Sequence, residues 1–212
     1  AVMHSRLPLR HLLLALAVVA VWGTNFVVIK LALADLPPLL FGALRFGFAL
    51  LPAALFLPRP AVPWHNLAAY GVLVGVGQFG LLYLAMRSQI SPGLASLVIQ
   101  LQVFFTIGLS LMLLKERVRG FQVVGLLMAL GGLLLIALNL GAHVTLTGLG
   151  LILAAAFFWA CANLVAKSAG RINMLHFVVW SSVFAVPPLL VLSLLFEGPS
   201  AIGHALQAAS AA

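Results

Sequence analysis

The chain has 212 residues, of which 64% are hydrophobic and only 7% charged, with a mean hydropathy of +1.23. A soluble domain carries about 25% charged residues to wet its surface, so a water-soluble globular protein is excluded and lipid must be the solvent. The net charge of +8 would point to nucleic acid in a soluble protein. Here the basic residues fall in short loops between apolar runs, so no nucleic-acid partner is expected.

Hydrocarbon offers the backbone no hydrogen-bonding partners, which leaves helices or a closed barrel. The apolar runs are continuous, without the dyad alternation of barrel strands. An all-α integral membrane bundle is therefore predicted. About 20 apolar residues are needed to cross the bilayer, which places seven spans near 9–33, 37–57, 66–86, 93–114, 120–139, 146–166 and 174–195. Turn chemistry separates them: Asp35-Leu36-Pro37-Pro38, Pro58-Arg59-Pro60 with Pro63, and Ser91-Pro92-Gly93. The later breaks are Lys115-Glu116-Arg117, Asn139-Leu140-Gly141 and Gly170-Arg171-Ile172-Asn173. The basic residues 4–10 precede a run too long for a signal peptide, so that run is read as the first span.

With the N-terminus in the cytoplasm, the cytoplasmic loops hold Arg6, Arg10, Arg59, Lys115, Arg117, Arg119, Lys167 and Arg171. The opposite side keeps Arg87 with Asp35 and Glu197. The positive-inside rule therefore favours a cytoplasmic N-terminus.

Within the first span, Trp22 precedes Lys30 with Asn25 between them, and in the sixth Trp159 precedes Lys167 by the same interval with Asn163 between. The Asn is displaced by one residue. A repeat whose unit is five helices, an odd number, enters the membrane from opposite sides in its two copies, the inverted architecture of many secondary transporters. The first unit covers 9–139, and the second, from 146 to 212, holds two helices. The tail from Gly198 is too short and too rich in Ala and Ser for another span. A C-terminally truncated chain is expected, and Ala1 in place of a starting Met agrees.

Polar residues inside spans are costly in lipid and mark paths or partners. Trp22, Thr24 and Asn25 sit mid-span, and Arg45 lies too deep in span two to snorkel easily. Arg45 is read either as a cation for a substrate carboxylate or as a structural partner of helix carbonyls. Lys30 and Lys167, nearer span ends, are expected to snorkel. Gln78 falls in span three. Gln100 and Gln102, two apart, cannot share a helix face, so one is expected to line a cavity and the other to bond between helices. Trp159 and Asn163 share one face of span six and should oppose Trp22 and Asn25. The substrate-path candidates are thus Trp22, Asn25, Arg45, Gln78, Gln100, Trp159 and Asn163.

Enzymatic signals do not accumulate. Gly75-Val-Gly77-Gln78-Phe79-Gly80 matches a dinucleotide fingerprint, but it lies inside an apolar helix and lacks the preceding strand. Close helix packing by Gly71 and Gly75 accounts for it better. The three carboxylates, Asp35, Glu116 and Glu197, stand at helix ends or in loops, and the six histidines show no metal-ligand spacing. Cys161 is alone, so no internal disulfide forms. No enzyme activity, metal or cofactor is expected.

Val21-Trp22-Gly23-Thr24-Asn25-Phe26 with Lys30, then Pro37-Pro38 with Arg45-Phe46, resembles the opening of the drug/metabolite transporter superfamily. Gly93-Leu94-Ala95-Ser96-Leu97 running to Lys115-Glu116-Arg117, and Ala154-Ala155-Ala156-Phe157 with Trp159-Ala160-Cys161, resemble its EamA family. The resemblance implies a ten-helix fold of two inverted five-helix halves in the bacterial inner membrane, exporting small metabolites of the cysteine or O-acetylserine kind by alternating access. An exporter of drugs or nucleobase-like compounds is the alternative within the superfamily. A seven-helix receptor or other non-transport membrane protein is the alternative outside it, but the last span has no retinal-binding Lys. Small-molecule substrate and lipid are the expected partners, and homo-oligomerisation is left open.

Overall fold

A computed structural model describes residues 9–114, 120–138 and 144–211. Arg6, the Lys115-Glu116-Arg117 turn with Arg119, and the Asn139-Leu140-Gly141 break lie outside the described residues.

The chain folds as a bundle of helices. They are α1 (Leu9–Asp35), α2 (Pro38–Phe56), α3 (Trp64–Ser88), α4 (Pro92–Leu113), α5 (Gly120–Leu138), α6 (Leu146–Ser168), α7 (Met174–Phe196) and α8 (Pro199–Ala211). Six of these, α1 to α4 with α6 and α7, are long and apolar enough to cross a membrane. The 19-residue α5 is also apolar, and the chain is a multi-pass membrane protein. The last described helix, α8, has 13 residues, fewer than the roughly 20 of a span; the tail was expected to hold no further span.

Helix starts follow local chemistry. Thr145 caps α6 by accepting from Gly148 N–H at 3.0 Å, and Asn173 caps α7 by accepting from Leu175 N–H at 3.0 Å. These side chains satisfy N–H groups that have no partner within the helix. Pro92 and Pro38 stand at helix starts, where a missing N–H costs nothing. Gly170 and Gly198 follow the ends of α6 and α7 at φ +78 and +83, a left-handed conformation that favours glycine.

The N-terminus of α2 has no cap of its own. Glu197, at the end of α7, supplies one: its carboxylate accepts from Leu39 N–H at 2.6 Å and Leu40 N–H at 3.0 Å. Ser193 donates its hydroxyl to the same carboxylate at 2.6 Å. At the other end of α2, Trp180 Nε1 donates to the Leu57 carbonyl at 3.0 Å. The start of α7 thus meets the end of α2 and the reverse, so the two helices run antiparallel along their whole length.

Glycine sets the centre of the bundle. A Cβ on Gly71 would land on the Ser181 carbonyl oxygen, one on Gly75 would sit 2.5 Å from Ala185 Cβ, and one on Gly77 would sit 2.5 Å from Phe158 Cγ. Helix α3 therefore lies against α7 and α6 at the closest approach a membrane helix allows. Between Leu73 and Gly80 it widens into a π-helical stretch, a feature frequent at functional sites.

At one end of the bundle, Ile29, Leu33, Met86, Ile90, Val98, Val144 and Leu149 form a buried apolar cluster. There the turn after α3 docks on the start of α6, through an Ile90–Val144 bridge and a Thr145 N–H donated to the Gln89 carbonyl at 2.9 Å. At the opposite end Val62, Leu67 and Phe177 are buried together.

Candidate functional site

Between the two clusters lies a cavity of about 590 Å³, within the range of small-molecule sites. Helices α1, α2, α3, α4, α6 and α7 all contribute to its wall. Trp22, Asn25, Arg45, Gln78, Gln100 and Trp159 line it, so six of the seven residues singled out in the sequence are brought together.

Trp22 and Trp159 meet edge to face with ring centroids 5.8 Å apart, a preferred aromatic geometry. The two residues that the sequence repeat equates therefore touch each other. Gln100 reaches the cavity where α4 tightens into a 3-10 turn over Ile99–Leu101. Gln78 lies in the π-helical stretch of α3 and is only 5% exposed, so its amide is presented from a largely buried position.

Arg45 is the cation of the cavity. Its Nη1 donates to Tyr83 Oη at 2.6 Å, and its guanidinium carbon lies 4.3 Å over the Phe79 ring. Neither partner carries a negative charge. The alternative of pairing with helix carbonyls is not what the structure has.

Asn163 is placed elsewhere. It is not among the cavity-lining residues; its Nδ2 donates to Gln102 Oε1 at 2.9 Å and to Thr106 Oγ1 at 3.3 Å. The expected opposition of Asn163 and Asn25 therefore does not form, because α4 carries amide and hydroxyl acceptors closer to hand. The two glutamines of α4 divide as their spacing requires, Gln100 at the cavity and Gln102 between helices.

Lys30, expected to snorkel, is exposed and reaches toward the end of a neighbouring helix. Its ammonium donates to the Met86 carbonyl at 3.1 Å and the Arg87 carbonyl at 3.2 Å, at the C-terminus of α3 where a cation complements the exposed carbonyls.

Sequence reasoning missed Phe79, which lines the cavity, and Tyr83, the hydrogen-bond partner of Arg45. They stand four residues apart on one face of α3, a spacing that is readable. Nothing local announces that this face meets Arg45. Tyr70, Ser96 and Ser182 also line the cavity and carried no signal beyond their position in spans.

The sequence profile of the EamA-like transporter family matches residues 9–138. A probable amino-acid metabolite efflux pump of Salmonella typhimurium is 43% identical over 200 residues, covering 91% of this chain and 67% of that protein. The protein of the same description from Escherichia coli is 42% identical over the same shares. The uncharacterized transporter YoaV of Bacillus subtilis is 31% identical, covering 88% of this chain and 68% of its own length. No solved structure matches the chain significantly.

Proposed function

We propose, from the premise that the chain belongs to the EamA-like transporter family, that it exports small amino-acid-type metabolites through the cavity described above. The relatives described as probable amino-acid metabolite efflux pumps motivate the substrate class, with cysteine and O-acetylserine as the first compounds to try. A transporter of this kind does no covalent chemistry on its cargo, in keeping with a family of transporters and not of enzymes.

Arg45 carries the reading. A guanidinium in the wall of a small-molecule cavity, held by a phenol and a ring and by no carboxylate, keeps its full charge for a solute. In the low dielectric of a membrane cavity that charge attracts a substrate carboxylate far more than it would in water. The aromatic faces of Trp22 and Trp159 then border the rest of the molecule.

The overall plan proposed is two five-helix units of opposite sense, the first over 9–139 and the second beginning at 146. Three observations support it. Helices α2 and α3 begin at 38 and 64, while α7 and α8 begin at 174 and 199, so the two intervals agree to within a residue. The second helices of each unit, α2 and α7, are antiparallel neighbours. Trp22 and Trp159 touch, as equivalent residues do on a two-fold axis. By this register α8 stands where the third helix of the second unit begins. The loop charges support a cytoplasmic N-terminus, the bacterial relatives support an inner-membrane location, and alternating access between the two units is the mode such an architecture serves.

Export of labelled cysteine from proteoliposomes tests the reading. Arg45→Gln, inserted at normal levels, is expected to lower transport at least tenfold; unchanged transport would remove Arg45 from the substrate path. Accessibility mapping that put Lys115–Gly120 and Lys167–Arg171 on different faces of the membrane would defeat the two-unit plan. The aromatic lining favours one second reading, an exporter of drugs or nucleobase-like compounds. Competition by such compounds, undiminished in Arg45→Gln, would select it.

A further inference from the structure

Tyr83 is the other half of the Arg45 arrangement. Its side chain is fully buried, 0% exposed, in a membrane helix where a phenol hydroxyl is expensive without a partner. The partner is Arg45, at 2.6 Å. The ring is wedged between Phe41, with centroids 4.9 Å apart, and Phe79, at 5.6 Å. Phe79 in turn lies under the guanidinium and is braced by Phe46 at 5.6 Å. Two residues on one face of α3 therefore fix both the position and the plane of a cation that belongs to α2.

Chemistry distinguishes this cradle from an ion pair. Arg offers five N–H donors and cannot lose its proton. Tyr83 accepts from one of its nitrogens, and the other donors have no partner among the described residues. None of the side-chain nitrogens is both buried and unpartnered, so those donors face open space. A carboxylate at position 83 would have held the guanidinium equally well and neutralised it. A phenol oxygen holds it and leaves the charge intact.

We infer that Tyr83 is a positioning residue for substrate selection, holding Arg45 in a fixed orientation so that its unneutralised N–H groups receive the carboxylate of the solute. The inference rests on the reading of Arg45 as the carboxylate-binding group. Tyr83 itself touches Arg45 and does not line the cavity.

The test is transport of labelled cysteine, with cysteinamide as competitor, by the protein in proteoliposomes. Tyr83→Phe keeps the ring and removes the one hydrogen bond. The expected result is a KM for cysteine raised by roughly tenfold, the loss of one charge-assisted bond, with maximal rate changed little. Competition by cysteinamide, which has no carboxylate, stays as in the parent. Placed in an Arg45→Gln background, Tyr83→Phe adds nothing. Equal weakening of acid and amide, or a full additional loss in that background, would make Tyr83 a packing residue and overturn the inference. If Arg45→Gln lowers cysteine transport while Tyr83→Phe matches the parent, the positioning role alone falls. If Arg45→Gln treats acid and amide alike, the carboxylate reading falls and this inference falls with it.

Discussion

Glycine occurs on α3 and on α5 in similar numbers, and the two helices use it in opposite ways. On α3, Gly71, Gly75 and Gly77 leave no room for a methyl group, because α7 and α6 lie directly against them. On α5, Gly120, Gly131 and Gly132 have nothing within 4 Å of where a Cβ would stand, and Gly125 meets only the Phe104 ring at 3.7 Å. Leu127, Met128 and Leu134 of α5 are exposed, while Leu82, Tyr83, Ala85 and Met86 of α3 are buried. Composition alone makes both helices look like lipid-facing spans. Packing makes α3 the inner post of the bundle, bordering the cavity, and leaves α5 at its edge. The lesson is that in a medium as apolar as the side chains themselves, closeness and polar contacts hold helices together, and apolar content does not.

Substitutions can break this contrast. The largest effect is expected from Gly71→Leu, whose Cβ would have to occupy the place of a backbone carbonyl oxygen of α7. A flexible side chain can give way, but backbone cannot, so the cost should exceed about 3 kcal/mol, beyond the usual range for overpacking. Size-exclusion profiles in detergent should show little folded protein. A well-folded Gly71→Leu protein would mean that α3 and α7 are not in contact.

Next comes Glu197→Ala, which removes the shared acceptor of Leu39 N–H, Leu40 N–H and the Ser193 hydroxyl. Hydrogen bonds to a charged group contribute about 1.5–3 kcal/mol each when lost, and water at the helix end will recover part of that. A loss of about 2 kcal/mol in thermal unfolding is expected, with faster amide exchange confined to the first turn of α2. Glu197→Gln, with one acceptor oxygen, should fall between. Asn163→Leu follows at about 0.6 kcal/mol and at most about 1.7, the mean and maximum measured for interhelical polar contacts in a membrane protein. It should lower stability and leave the KM for cysteine unchanged, whereas Asn25→Leu at the cavity wall should do the reverse. Matching effects from the two would return Asn163 to the substrate path.

These residues also mark how far the sequence was legible. The spans could be read because their lengths and breaks follow from bilayer thickness and turn chemistry. The pairing of Trp22 with Trp159 could be read because a rare residue recurs at the same interval before a lysine, and the repeat proposed from that recurrence would make the two positions equivalent. Asn163 misled because periodicity gives a face without saying whether that face meets a cavity or a neighbour. Glu197 was legible only as a loop carboxylate, since the N–H groups it serves are 158 residues away in the chain. The Gly75–Gly80 pattern drew attention for the wrong chemistry. Its glycines mark a π-helical stretch and a close approach, and neither the stretch nor the Tyr83–Arg45 bond leaves a local signature.

The smallest effect is the one most specific to the contrast. Gly131→Ala on α5 adds a methyl group into open space and removes a residue that weakens helices, so stability should rise by less than about 1 kcal/mol. The chemically identical Gly75→Ala on α3 sets a Cβ 2.5 Å from Ala185 Cβ and should lower it. Helix propensity enters both variants with the same sign, so a difference in sign between them isolates the neighbour. Melting temperatures of the two variants in one detergent, taken against the parent, give that comparison directly. Were Gly131→Ala to destabilise as Gly75→Ala does, the exposed face of α5 would have to be a packed one, covered by another part of the assembled transporter or by a second copy.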